Sequence, residues 1–163
     1  MHTKTLGLPV LVSLLTGCQD YTVLQRASFF GGGNLTPGCE EGYSTMPGLD
    51  CCTTVQSAWA TTPSEFDATM AVLTASAVEV SIATNVFDAE AVLVLWTDGC
   101  PGSGARLQMR SFDPRPDGVT VELTVHPRPT DEIEDIEGIR PALVLSTDVE
   151  HAGKPVQATA RYP

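Results

Sequence analysis

Six consecutive apolar residues, Ala91-Val92-Leu93-Val94-Leu95-Trp96, constrain the fold of this chain more than any other feature. A strand can be apolar on both faces only where both faces of its sheet are covered, so the run predicts a central strand. The neighbouring segments have a different rhythm. Leu107 and Met109 alternate with Arg106, Gln108 and Arg110. Val119, Val121, Leu123 and Val125 alternate with Thr120, Glu122, Thr124 and His126, and Val156, Ala158, Ala160 and Tyr162 repeat the pattern. A period of two predicts half-buried strands. Val78 to Ile82 also alternates, and Tyr21 to Phe30 and Ala142 to Val149 complete the set of expected strands. Asp113-Pro114-Arg115-Pro116-Asp117-Gly118 has the composition of a hairpin loop.

One segment follows the helical period. Thr62-Pro63-Ser64-Glu65 matches a capping box with proline at the first helical position. Phe66, Met70, Leu73 and Ala77 then line one face, which predicts a helix over 62–77 facing the core. Residues 31–52 are rich in Gly and Pro and read as a long loop; 127–140 read as a proline-led acidic loop. The expected fold is a single β-rich α+β domain, residues 23–163: one helix on an antiparallel sheet or small sandwich. No internal repeat or second domain is present.

The first residues carry an address. Met1-His2-Thr3-Lys4 is a short basic start, and Thr5 to Leu15 is uncharged. This is the plan of a secretory signal, too short for a spanning helix and interrupted by Pro9. Its end, Leu15-Thr16-Gly17-Cys18, resembles the lipobox of bacterial lipoproteins: an aliphatic residue, two small residues, then cysteine. The resemblance implies that residues 1–17 are a signal peptide, that the Cys18 thiol receives a diacylglycerol, and that residues 18–22 form a lipidated tether. Two or three acyl chains hold a protein stably where one does not. In lipoproteins of this class Asp after the cysteine signals inner-membrane retention. Gln19 therefore favours the outer membrane, although Asp20 follows.

From Cys18 onward the chain has 20 acidic residues against eight basic ones, a net charge of −12. That surface repels nucleic acid and anionic headgroups and suits a basic partner or simple solubility. Four cysteines remain after Cys18: Cys39, Cys51, Cys52 and Cys100. Export permits disulfides. A bond between the neighbours Cys51 and Cys52 is strained, so each is expected to reach a different partner, Cys39 or Cys100, and to staple the domain. A metal or redox role for them fits less well, because there is no C-x-x-C motif. Asn34-Leu35-Thr36 matches a glycosylation sequon, which is empty in a bacterial lipoprotein.

The order of parts resembles a known family. "NVFDAEAVLVLWTDGCPGSGARLQMRSF", then "VTVELTVHPRP", then "GIRPALVLSTD" resemble the PrcB-like lipoproteins, accessory subunits of a surface protease complex, over about residues 85–148. The likeness is one of order and spacing. Where the family often has Thr-Gly-Gly-Tyr, this chain has Pro101-Gly102-Ser103-Gly104-Ala105. The resemblance implies a non-catalytic domain that binds or stabilises an envelope partner.

No residue set identifies a reaction. The only bases beyond the signal are His126, on the polar side of a strand end, and His151, in a turn; both are expected to be solvated. There is no G-x-S-x-G elbow, phosphate loop or cofactor motif. Asp131-Glu132-Ile133-Glu134-Asp135-Ile136-Glu137 offers oxygen ligands for Ca²⁺ but lacks the spacing and internal Gly of an EF-hand loop, so a solvated loop is the better reading. The expectation is a cell-envelope binding or assembly module with no catalytic or metal site. The alternatives are a small envelope hydrolase, built around His126 or the acidic loop, and a structural surface lipoprotein with no specific ligand.

Overall fold

The computed structural model describes residues 20–34, 52–73, 80–97, 105–126 and 137–163, with the backbone alone at 30–34 and 137–139. The elements in chain order are β1 (Tyr21–Asn34), β2 (Val55–Ala60), α1 (Pro63–Leu73), a 3₁₀ turn (Thr84–Asp88), β3 (Glu90–Thr97), β4 (Arg106–Arg115), β5 (Gly118–His126), β6 (Glu137–Asp148), a second 3₁₀ turn (Val149–His151) and β7 (Val156–Arg161). The class is α+β and β-rich. One sheet has the order β1-β6-β3-β2 and the other β4-β5-β7.

The apolar run explains the layering. β3 lies inside the four-stranded sheet, between β6 and β2. Leu93 and Leu95 join Leu143 and Leu145 of β6 in a core against Leu107, Val121, Leu123 and Val125 of the other sheet. Val92, Val94 and Val144 face the opposite way, toward Phe66, Met70 and Leu73 of α1. Helix, sheet and sheet therefore form three layers, and only the middle one needs apolar residues on both faces.

Both margins of the sandwich are fastened. Ser28 Oγ donates to the Ala105 carbonyl at 2.8 Å, and the Tyr21 and Phe112 rings lie 5.3 Å apart. On the other side Trp59 Nε1 donates to the Lys154 carbonyl at 2.9 Å. The hairpin between β4 and β5 is tight: Arg115 pairs with Gly118. A Cβ on Gly118 would stand 3.0 Å from the Pro155 carbonyl oxygen, which already accepts from Val119 N at 2.9 Å. Glycine lets the hairpin close against the chain entering β7.

The helix begins as the capping box predicts, with one change. Glu65 N–H donates to Thr62 Oγ1 at 3.2 Å, but the Glu65 carboxylate accepts from the N–H and hydroxyl of Thr61, at 2.7 and 2.8 Å. These bonds, the Thr61 backbone bond foremost, hold the Glu65 carboxyl below its usual range. At the other end, Arg140 of β6 donates to the carbonyls of Val72 and Leu73 at 3.3 and 3.1 Å. Thr62→Ala is expected to cost about 1 kcal/mol in urea unfolding. Because the Glu65 pKa is lowered on folding, its contribution is present above the unfolded value and lost as pH falls through the folded one. A Glu65→Gln variant should therefore show a shallower loss of stability on acidification than the parent; an unchanged acid limb would contradict this cap.

Several expectations need correction. The sheets are not wholly antiparallel: β5 and β7 pair in parallel, Val119 with Val156 through Thr124 with Arg161. β6 ends at the same pole where β5 starts, so the chain crosses between sheets there and β7 must run alongside β5. Residues 80–82 form no strand. Val80 and Ile82 instead pack into the helix-side core. The first strand begins at Tyr21, within the span 18–22 expected as a tether. β6 starts at Glu137, inside the expected loop. Its Pro141 pairs with Ser28 of β1 but lies beyond the last β3 partner, Ala142, so its missing N–H breaks no β3–β6 bond. Ala77 and residues 74–79 lie outside the described residues.

Candidate functional site

A cleft of about 430 Å³ opens at the pole where the chain enters β1. Strand register builds it. Tyr21 pairs with Thr147 and Glu90 with Asp148, which brings the starts of β1 and β3 to the end of β6. Thr147 Oγ1 donates to the Asp20 carbonyl at 2.6 Å. Asp148 then caps the following 3₁₀ turn, accepting from Glu150 N at 3.0 Å, and the turn carries Glu150 and His151 to the rim. Asp20, Glu90, Asp148 and Glu150 make the cleft acidic.

His151 is buried, 8% exposed, and not solvated as its turn position suggested. The 3₁₀ turn folds the ring against the sandwich. Its Nδ1 lies 3.3 Å from Lys154 Nζ and its Nε2 3.7 Å from Glu150 Oε1. An ammonium only donates, so Nδ1 is the acceptor in the contact with Lys154. Lys154 Nζ also donates to the Arg115 carbonyl at 3.3 Å, tying this turn to the β4–β5 hairpin. Ser146 lines the same cleft, but both ring nitrogens of His151 already face other groups. The arrangement attracts cationic groups; it does not place a hydroxyl against a base.

His126 is at the other pole. It ends β5, opposite Arg106, and is half-buried. β5 rises about 3.3 Å per residue, so some 25 Å separate His126 from the end where Gly118 meets Pro155 and Lys154 reaches His151. The two histidines therefore cannot act on one atom. Cys18, Cys39, Cys51, Cys100 and Asp131–Ile136 lie outside the described residues, and Glu137 opens β6. Cys52 is 3% exposed, with its Sγ 3.3 Å from Thr97 Oγ1. Its φ of 63° is the left-handed conformation, which a non-glycine residue adopts only when its surroundings hold it there. Among the described residues no three His, Cys, Asp or Glu side chains form a metal-ligand group. No described helix is long and apolar enough to cross a membrane.

Sequence reasoning missed the cleft, because its residues come from three separated segments. The one local sign was Asp148-Val149-Glu150-His151, a capping residue two positions before a glutamate. No protein-family model matches the chain, and no curated protein or solved structure matches it.

Proposed function

We propose that the protein is a bacterial cell-envelope lipoprotein, anchored through Cys18, acting as a non-catalytic binding or assembly module that stabilises or binds an envelope protein such as a protease. The outer membrane is the favoured site. The observation that carries this reading is the lipobox followed almost at once by folded structure: β1 starts three residues after Cys18. A lipid at Cys18 would hold the sandwich close to the bilayer by its Asp20 pole and leave the opposite pole facing outward. The test is a crosslinked pull-down of the lipidated protein from its own envelope with mass spectrometry. Recurrent capture of one envelope protein is expected. Recovery of the bait alone, with crosslinking working on a known complex, would overturn the assembly reading in favour of a small ligand, a hydrolase or a passive coat component.

The domain is further proposed to be stapled by two disulfides, with Cys51 and Cys52 each joined to a different one of Cys39 and Cys100. Support comes from burial: Cys52, three residues before the start of β2, is 3% exposed. Each such bond typically contributes about 2–4 kcal/mol. Non-reducing peptide mapping is expected to link Cys51 and Cys52 to different partners; a Cys51–Cys52 link or four free thiols would reject the staple.

A further inference from the structure

The outer face of the three-stranded sheet concentrates positive charge on an otherwise acidic chain. Val119, Val121, Leu123 and Val125 of β5 turn inward, so Thr120, Glu122, Thr124 and His126 turn outward. Register then sets Arg106 opposite His126, Gln108 opposite Thr124 on one side, and Arg161 opposite Thr124 on the other. Glu122 is the one carboxylate among these residues; Asp113, opposite Thr120, lies farther along the same face and is paired with Arg115. Arg161 Nη2 lies 3.3 Å from its Oε2 and Arg110 Nε 3.9 Å, with the two arginine side chains 58% and 57% exposed. One carboxylate thus faces two guanidinium groups, and Arg106 has no carboxylate partner among the described residues. Three of the chain's nine Lys and Arg residues meet here, while acids outnumber bases by 20 to nine overall.

We propose that this face is a docking surface for an extended acidic segment of a partner polypeptide. Guanidinium groups match carboxylates in a planar, two-bond geometry. Arg110 and Arg161 sit two strands apart, about 10 Å, and same-side carboxylates on an extended chain recur about every 7 Å, so neighbouring acidic side chains can reach both. Gln108, Thr124 and Thr159 supply neutral hydrogen-bonding groups between the charges. The cluster lies on the half of the sheet toward His126, away from the Asp20 pole. A bilayer met through that pole would not touch it, which favours a polypeptide over lipid headgroups. The chain's net charge of −11 disfavours acidic chains in general, so charge complementarity favours this face for them.

This surface deepens the assembly reading and rests on it for its biological meaning, but its test is separate. The full lipidated protein in nonionic detergent is titrated against a fluorescent dodeca-glutamate peptide, with a Gly-Ser peptide of equal length, heparin and phosphatidylglycerol vesicles as comparisons. Binding to the glutamate peptide that weakens steeply with added salt is expected. A triple Arg106→Gln, Arg110→Gln, Arg161→Gln variant should bind at least tenfold more weakly, with an unchanged unfolding midpoint. Arg115→Gln, at a residue already paired with Asp113 at 2.7 Å, should change binding less than twofold. No binding at low salt, equal binding by the triple variant, or preference for heparin or vesicles over the peptide would overturn the proposal. If the triple variant still captures its envelope partner by crosslinking, this face fails and the assembly reading stands. If the peptide binds but no partner is captured, the reverse holds.

Discussion

Leu93→Ala is expected to lower the unfolding free energy by about 3 kcal/mol, within the 2–5 kcal/mol typical of buried leucines. Leu93 is fully buried on the central strand, opposite Trp59 on one side and Leu145 on the other. Its side chain belongs to the core that joins the two sheets. Truncation removes transfer free energy and leaves a cavity between layers that strand pairing holds in place, so collapse cannot fill it. Domains of this size have only about 5–15 kcal/mol in total, so the loss should be plain in urea unfolding. Val72 is the control. It sits on α1 and is 75% exposed, and Val72→Ala should stay within about 0.5 kcal/mol. A Leu93→Ala change below about 1 kcal/mol would mean that the sheets do not pack through this residue.

The second large effect concerns anchorage. Cys18→Ser should abolish incorporation of labelled palmitate and leave the chain at its full 163-residue length, since the lipidated cysteine is what the proposed processing requires. Intact-mass analysis separates the outcomes. A wild-type product that starts at Cys18 and carries two or three acyl chains supports the anchor. A soluble, cleaved product from the Cys18→Ser variant would count against the lipobox and point to ordinary secretion. With the anchor lost, the idea that the Asp20 pole faces a bilayer would fall too, whereas the charge on the β4-β5-β7 face would be unaffected.

Local rules made much of this molecule legible. The run from Ala91 to Trp96 required a doubly covered strand, because six apolar side chains on a pleated ribbon point both ways. The alternation in 119–126 fixed which residues face inward. Thr62 and Glu65 marked a helix start, and Asp113–Gly118 a hairpin that the structure makes tighter than the loop expected. β2 was missed. Gln56, Ser57 and Ala58 give it little apolar character, and it is a strand because β3 offers it a free edge. Val78–Ile82 failed for the converse reason. Val80 and Ile82 do face a core, but this described part of the segment lies on the helix side and pairs with no sheet edge.

The charged face shows the same division. The outward set Arg106, Gln108 and Arg110 can be read from alternation alone. That Arg161 stands beside them, sharing Glu122 with Arg110, depends on β7 joining β5 in parallel. Likewise His151 looked solvated because it sits in a turn between strands, yet the crossing from β6 to β7 presses it into the sandwich. Periodicity, caps and turns are set within a few residues, by backbone geometry and side-chain type, and the sequence by itself determined them. Which strand lies beside which, the parallel direction of β7, the acidic cleft and the grouping of arginines rest on contacts between residues far apart in the chain. Those were decided by how the two sheets and the helix could bury their apolar faces together.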